Sequence, residues 1–288
     1  MTETFAAAVT AWYDEHARDL PWRRAGITAW GVMVSEVMLQ QTPVARVVPV
    51  WEQWLTRWPT PAALACDSPG DAVRLWGRLG YPRRALRLHA AATAITEEHG
   101  GEVPAGYDDL LALPGIGSYT AAAVASFGFG QRHAVLDTNV RRVYARVLDA
   151  AADAATASPT VAERARALAL VPTERPERYS VAVMELGAVT CLARSPRCDD
   201  CPVRTSCAWR LAGRPPTTTA RRPQPFAGTD RQARGRLMAV LRDAPGTVAK
   251  LDLDAAWDAA GQRERALAGL ISDGLVVPAG DDRYGLPA

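Results

Sequence analysis

The chain has 288 residues, 48% of them hydrophobic and 22% charged, with a formal net charge of +2. That is about two domains' worth of ordinary globular sequence, which excludes disorder and collagen-like repetition. The apolar stretch 32–39 is far shorter than the roughly 18 residues of a membrane span, and no basic-then-apolar leader opens the chain. A soluble, cytoplasmic protein without a membrane partner is therefore expected.

Apolar residues recur at helical spacing at Val9, Trp12 and Tyr13, and again at Val140, Val143, Tyr144 and Val147. Pro21, Pro43, Pro59, Pro69, Gly80, Pro104 and Pro114 cut the chain into segments of about 10 to 15 residues, a typical helix length. No alternating strand pattern precedes residue 230, so the body is predicted to be all-α.

The first chemical candidate is Glu36, in Trp30-Gly31-Val32-Met33-Val34-Ser35-Glu36-Val37-Met38-Leu39-Gln40-Gln41. Its helical neighbours are Val32, Met33 and Leu39, and no cation stands at those spacings. A helical glutamate is ordinarily solvated. Here desolvation should raise the carboxyl pKa and leave a proton for acid catalysis near neutral pH.

Leu113-Pro114-Gly115-Ile116-Gly117-Ser118-Tyr119-Thr120 separates a helix ending near Leu113 from an Ala-rich helix over 121–127. A Gly-x-Gly turn opening a helix exposes backbone amides that attract phosphate, although most glycine hairpins are simply tight turns. Asp137 precedes another periodic helix, and its default role is an N-cap. The amide bonds of a cap should also keep it ionised, able to stabilise a developing cation. One protonated Glu and one charged Asp divide the labour of glycosidic-bond cleavage.

Five cysteines, four of them between 191 and 207, do not resemble a secreted disulfide framework. Cys191, Cys198, Cys201 and Cys207 are separated by six, two and five residues, compact enough to wrap one inorganic centre. Zinc is the alternative, but only one Cys-x-x-Cys hook and no nearby histidine are present, which favours an iron-sulfur cubane. Arg194, Arg197 and Arg204 lie on the same loops, where they could meet phosphates or simply be solvated. Cys66, in an Ala-Leu-Ala setting, reads as a buried small hydrophobe.

Residues 213–230 are rich in Pro, Thr and Arg and read as a linker between a body over 1–212 and a module over 231–288. From 214 to 236 six arginines (Arg214, Arg221, Arg222, Arg231, Arg234 and Arg236) face one acid, Asp230. Beyond them come predicted helices over 232–242, 253–260 and 262–273 and two short apolar runs, 275–277 and 284–286. That order is winged-helix-like. Eight acidic against five basic residues over 237–288 favour a packing appendage over a groove reader.

Five segments together carry a family resemblance. Ser35-Glu36-Val37-Met38-Leu39-Gln40-Gln41-Thr42, Leu79-Gly80-Tyr81, Leu113 to Ala121, Leu136-Asp137-Thr138-Asn139-Val140-Arg141-Arg142 and the cysteine loop resemble the MutY-type adenine DNA glycosylases, over about residues 5–210. These belong to the helix-hairpin-helix, iron-sulfur glycosylases. The resemblance implies a two-lobed helical body that acts on double-stranded DNA containing an adenine mismatched with 8-oxoguanine or guanine. It implies further that Glu36 protonates the adenine ring and later assists water, that Asp137 stabilises the oxocarbenium ion, and that Asn139 supports it. Gln40, Gln41, Thr42 and Tyr81 would contact DNA, with Gln41 and Tyr81 as wedges and Thr42 on the orphaned purine. Gly115, Gly117 and Ser118 would grip the backbone, and the four cysteines would hold one four-iron four-sulfur cluster. A monomer at the nucleoid is the expected state.

Tyr119 takes the place where endonuclease III-type relatives carry a catalytic lysine. Of 33 Lys plus Arg the only lysine is Lys250, so residues 1–249 offer no side-chain amine for a Schiff base. Base excision without lysine-dependent strand cleavage follows. A thymine mismatch glycosylase is the nearest rival, and a non-enzymatic iron-sulfur DNA-binding regulator the next; Gln40-Gln41-Thr42 argues against the first and the Glu36 and Asp137 pair against the second. Two departures stand out. The tail is shorter than the family's usual 8-oxoguanine-inspecting domain, and Val181 replaces a usual polar residue, so base preference could be relaxed.

Overall fold

The computed structural model describes residues 2–217 and 226–288, and its secondary structure is mainly helical. The middle of the expected linker, 218–225 with Arg221 and Arg222, lies outside the described residues. No helix among the described residues is long and apolar enough to cross a membrane. The described parts of Met1–Met33, Ala105–Leu111 and Gly117–Arg221 form one compact unit, and those of Val34–Pro104, Ala112–Ile116 and Arg222–Ala288 a second.

In the first unit, helices Thr2–His16, Thr138–Asp149 and Pro176–Val189 converge on one core. Val9, Val143, Val183 and Leu186 are fully buried there, with Phe5 set edge-on to Tyr179. Close approach of the last two helices depends on Gly187, because a Cβ there would stand 2.7 Å from the Asn139 Cβ. Glu185 is wholly buried yet ionised in effect: Arg18 Nε and Arg23 Nη1 donate to it at 2.6 and 2.8 Å. Burial pushes its carboxyl up, but these two guanidiniums outweigh that and hold it below the usual range.

Helix Ala29–Leu39 begins in the first unit and ends in the second. The second unit continues through Val44–Arg57, Pro61–Ala65, Pro69–Trp76 and Arg83–Glu98. Proline at the first helical position and capping by Thr60 and Ser68, which accept from Ala63 N and Asp71 N, start the two middle helices; each such cap stabilises by about 1 kcal/mol. Its centre is aromatic, with Trp54 edge-on to Trp58 and Trp76 at 4.6 and 5.7 Å between ring centroids. Cys66 is exposed at a helix end, contrary to expectation, since its helix turns Leu64 inward instead.

The C-terminal module belongs to this second unit. It runs helix Asp230–Asp243, strand β1 (Val248–Ala249), helices Lys250–Asp254 and Ala260–Ser272, then β2 (Val277–Pro278) and β3 (Arg283–Gly285), the winged-helix-like order. The sheet is antiparallel, ordered β1-β3-β2, with Val248 opposite Tyr284 and Val277 opposite Gly285. The middle helix stops at Asp254 rather than running over 253–260. Arg263 Nη1 takes up the carbonyls of Asp254 and Trp257 at 3.2 and 2.7 Å, which holds the intervening turn open. Gly70 N donates to Pro287 O at 2.8 Å and Arg242 Nη1 to Gly77 O at 2.5 Å, tying the module to helix Pro69–Trp76.

Candidate active site

In the second unit, Glu36 is 6% exposed, on a helix whose Met33, Val34 and Met38 are wholly buried. The sequence pattern thus places the carboxyl out of water, as its apolar neighbours require. Immediately after this helix the chain turns sharply. Gln41 is exposed with φ +56°, and Thr42 is buried. A second sharp turn, Gly80 (φ +87°) and Tyr81 (φ +49°), lies alongside, and the Tyr81 hydroxyl donates to Gln41 Oε1 at 3.4 Å. Tyr81 is 55% exposed.

The glycine hairpin is anchored by buried Leu113 and Ile116, with Ile116 N bonded to Leu113 O at 3.1 Å. Gly115 needs its glycine twice over: φ is +75°, and a Cβ would stand 2.6 Å from the Arg87 Cβ. Gly117 caps the next helix in extended conformation with open space where a side chain would be. That helix spans Ser118–Phe129, three residues earlier at its start than expected, and Gly130 closes it in the left-handed region. Ser118 is exposed in its first turn, while Tyr119 packs by Ala122, Ala123 and Val135.

In the first unit, Asp137 is the N-cap expected of it. Oδ1 accepts from Val140 N and Oδ2 from Asn139 Nδ2, both at 2.7 Å. Arg142 Nη2 in turn donates to Asn139 Oδ1 at 2.8 Å and to Gly187 O at 2.7 Å, so the Asp137 carboxylate sits at the end of a fixed chain of donors. These bonds do favour the charged form, as expected of a cap, but they are not the largest influence on its pKa. Burial is the larger effect and pushes the carboxyl up, against the pull of Val140, Asn139 and the Arg142 charge. Val181 is partly buried and packs on this unit's core.

Two further turns of the Asp137 helix grip the cysteine loop. Arg142 Nε donates to Cys191 O at 2.8 Å; Arg146 Nη1 reaches Cys191 Sγ at 3.4 Å and Leu192 O at 2.7 Å. Arg146 also lies 4.5 Å from the Trp209 ring centroid. None of the four cysteines is in a disulfide, and they line one cavity with Arg146, Leu186 and Trp209. Among the described residues, no three His, Cys, Asp or Glu side chains gather as tightly as ligands of a single metal ion. Burial pushes the Cys201 thiol up to about 11 and raises Cys191 against Arg146, so a bound centre must draw them into the thiolate form. A soft four-sulfur donor set with adjacent buried cations fits an iron-sulfur group. Arg194, Arg197 and Arg204 are exposed on these loops.

Arg84 and Arg142, two of the four arginines buried among the described residues, were not singled out in the sequence. Arg84 stands on the face of Leu88, Ala91, Ala92 and Ile95, an apolar stripe that could have marked it as an inward cation.

Comparison with known proteins places the chain in a family. Residues 34–169 match the HhH-GPD superfamily base excision DNA repair protein family. An adenine DNA glycosylase of Mycobacterium tuberculosis strain H37Rv is 53% identical over 282 residues, covering 96% of this chain and 91% of that protein. The chain belongs to the adenine DNA glycosylase family. The human adenine DNA glycosylase is 43% identical over 216 residues, covering 72% of this chain and 39% of the human protein. The mycobacterial match therefore takes in most of the C-terminal module as well as the body. The solved structure of a thermostable thymine-DNA glycosylase superposes with a TM-score of 0.66 at 23% identity, covering 73% of this chain and 97% of that one, which shows a shared fold.

Proposed function

We propose that the protein is a monofunctional glycosylase that hydrolyses the N-glycosidic bond of adenine mispaired with 8-oxoguanine or guanine in double-stranded DNA. The observation that carries this reading is the setting of two carboxyls: Glu36, 6% exposed on an apolar helix, and Asp137, partly buried and fixed by Val140 and Asn139. The Glu36 carboxyl gives its proton to the everted adenine ring as the bond to the sugar breaks and its electron pair leaves with the base. Asp137, oriented by Asn139, offsets the charge on the sugar. Water then adds to the anomeric carbon and returns its proton to Glu36.

Gln41 and Tyr81 fill the gap left by the everted base, Gln40 and Thr42 contact DNA beside them, and Gly115, Gly117 and Ser118 hold phosphate through backbone amides. Tyr119, where a lyase would need an amine, leaves strand cleavage to other enzymes. The cavity shared by Cys191, Cys198, Cys201 and Cys207 supports one four-iron four-sulfur cluster, which when bound would pin the loop that carries Arg194, Arg197 and Arg204. In this reading the body spans 1–212, a linker 213–230 joins it to the 231–288 module, and the protein works as a nucleoid-associated monomer in the cytoplasm.

The module reads as a brace for the second unit rather than a groove reader. Arg263 is paired with Asp254 at 2.8 Å, and Lys250 with Asp254 and Glu264 at 2.5 and 2.6 Å, so these cations of its second and third helices are already paired. Duplexes with A opposite 8-oxoguanine, A opposite G and T opposite G separate the readings. Alkali-dependent breaks at adenine are expected; breaks at thymine, or binding without breaks, would select the rivals.

A further inference from the structure

The two turns that carry Gln41 and Tyr81 meet at one buried cation. Arg84 is 6% exposed and has no carboxylate partner among the described residues. Its Nη1 donates to the carbonyls of Val37, Met38 and Gln40 at 2.8, 3.0 and 2.7 Å. Its Nη2 donates to Thr42 Oγ1 and Gly80 O, each at 3.0 Å. Val37 and Met38 are in the last turn of the Glu36 helix, where carbonyls lack partners within the helix and a cation is favoured. The face of the guanidinium lies 5.1 Å from the Trp76 ring centroid and 5.6 Å from that of Tyr81. Trp76 Nε1 adds a donor to Gly80 O at 3.0 Å.

We propose that Arg84 is a positioning residue for base extrusion: its planar fork locks the 40–42 and 80–81 turns together so that Gln41 and Tyr81 are presented to the duplex as one preformed wedge. This rests on the wedge reading of those two side chains. Two observations and one property of arginine carry it. Gln41 and Tyr81 both hold left-handed backbone that side-chain-bearing residues rarely adopt, and such conformations persist only where surroundings over-determine them. The single guanidinium bonds both turns at 2.7–3.0 Å, whereas Thr42 Oγ1, toward Gln40 O and Leu79 O, and the Tyr81 hydroxyl, toward Gln41 Oε1, span them only at 3.4 Å. An arginine fork can satisfy acceptors on two separate segments at fixed angles, whereas a lysine ammonium is a point donor. Burial lowers the Arg84 pKa to about 10, which leaves it charged at neutral pH.

The test compares single-turnover excision of adenine opposite 8-oxoguanine with excision of adenine opposite an abasic site, where no pairing opposes extrusion. In wild type, Arg84→Lys, Arg84→Met and Tyr81→Ala, the ratio of unpaired to paired rates is read, together with thermal melting of each variant. Arg84→Lys keeps the charge and serves where Arg84→Met melts too early. Both Arg84 variants are expected to raise that ratio at least about tenfold, as Tyr81→Ala does, because base eversion becomes limiting. 2-Aminopurine at the target position should likewise lose its fluorescence rise on mixing with Arg84→Lys. Equal losses on both duplexes, with a raised ratio in Tyr81→Ala, would overturn the clamp alone and leave Arg84 a folding residue. No raised ratio in Tyr81→Ala would overturn the wedge reading and the clamp with it.

Discussion

In the proposed mechanism Asp137 does two jobs whose demands conflict. As an N-cap it needs only an acceptor, while as a stabiliser of a sugar cation it must be charged in a place where burial resists charge. Because its folded pKa is raised, the native state binds its proton more tightly than the unfolded chain. The group therefore costs stability above its folded pKa, and that cost is relieved as pH falls through that value. Asp137→Asn removes the buried charge and keeps the oxygen facing Val140 N but loses the bond from Asn139 Nδ2, so the two effects offset and its melting temperature should stay within about a few degrees of wild type at pH 7 while excision is lost; differential scanning calorimetry beside a glycosylase assay reads both. Wild-type excision should also fail on acidification at a pH above the ordinary aspartate range, as Asp137 becomes neutral. Glu185 has the opposite sign. Its folded pKa is depressed, so its contribution is present above the ordinary glutamate pKa and is lost as pH falls through the folded value. Glu185→Ala leaves Arg18 and Arg23 without their acceptor and should cost about 3 kcal/mol at pH 7, measured by urea unfolding.

The helix Thr138–Asp149 joins Asp137 to the cysteine loop within one unit. Asp137 caps its start, Arg142 lies a turn in, and Arg146 holds Leu192 and Ala193 by their carbonyls a turn later, at 2.7 and 3.1 Å. Arg146→Ala should free that loop, and its product should carry less iron and less absorbance near about 400 nm than wild type when purified in parallel. An unchanged iron content would show that the cysteines alone fix the loop. Much of this was legible in the sequence: the cap at Asp137, the cysteine spacing and the glycine turn each depend on local chemistry within a few residues. What escaped is non-local. Arg142 bonds Gly187 and Cys191, 45 and 49 positions away, and Arg84 bonds carbonyls up to 47 positions away. An arginine in a helix reads as solvated until its partners are folded against it. The module's middle helix was misjudged for the same reason, since Arg263 reaches back to carbonyls six and nine residues earlier.

Across the chain, the scarcity of lysine and the placing of the tail say what the protein does and does not do. With Lys250 as its sole lysine, and that residue paired with Asp254 and Glu264, borohydride should trap no covalent complex with DNA. Within the second unit the tail packs tightly enough that Gly70 has no room for a Cβ, which would stand 2.4 Å from Pro287 O. Gly70→Leu should accordingly lower the melting temperature through loss of the tail's docking, by about 1–3 kcal/mol of stability. The account as a whole depends on proton donation by a carboxyl shielded from water. A duplex holding adenine opposite 8-oxoguanine, incubated with wild type or Glu36→Gln and then treated with alkali, reads that step. Wild type should yield breaks at the adenine only after alkali, and Glu36→Gln should bind the same duplex yet excise slower by at least about 100-fold. Breaks at wild-type rate from Glu36→Gln would remove Glu36 from the acid role and contradict the mechanism.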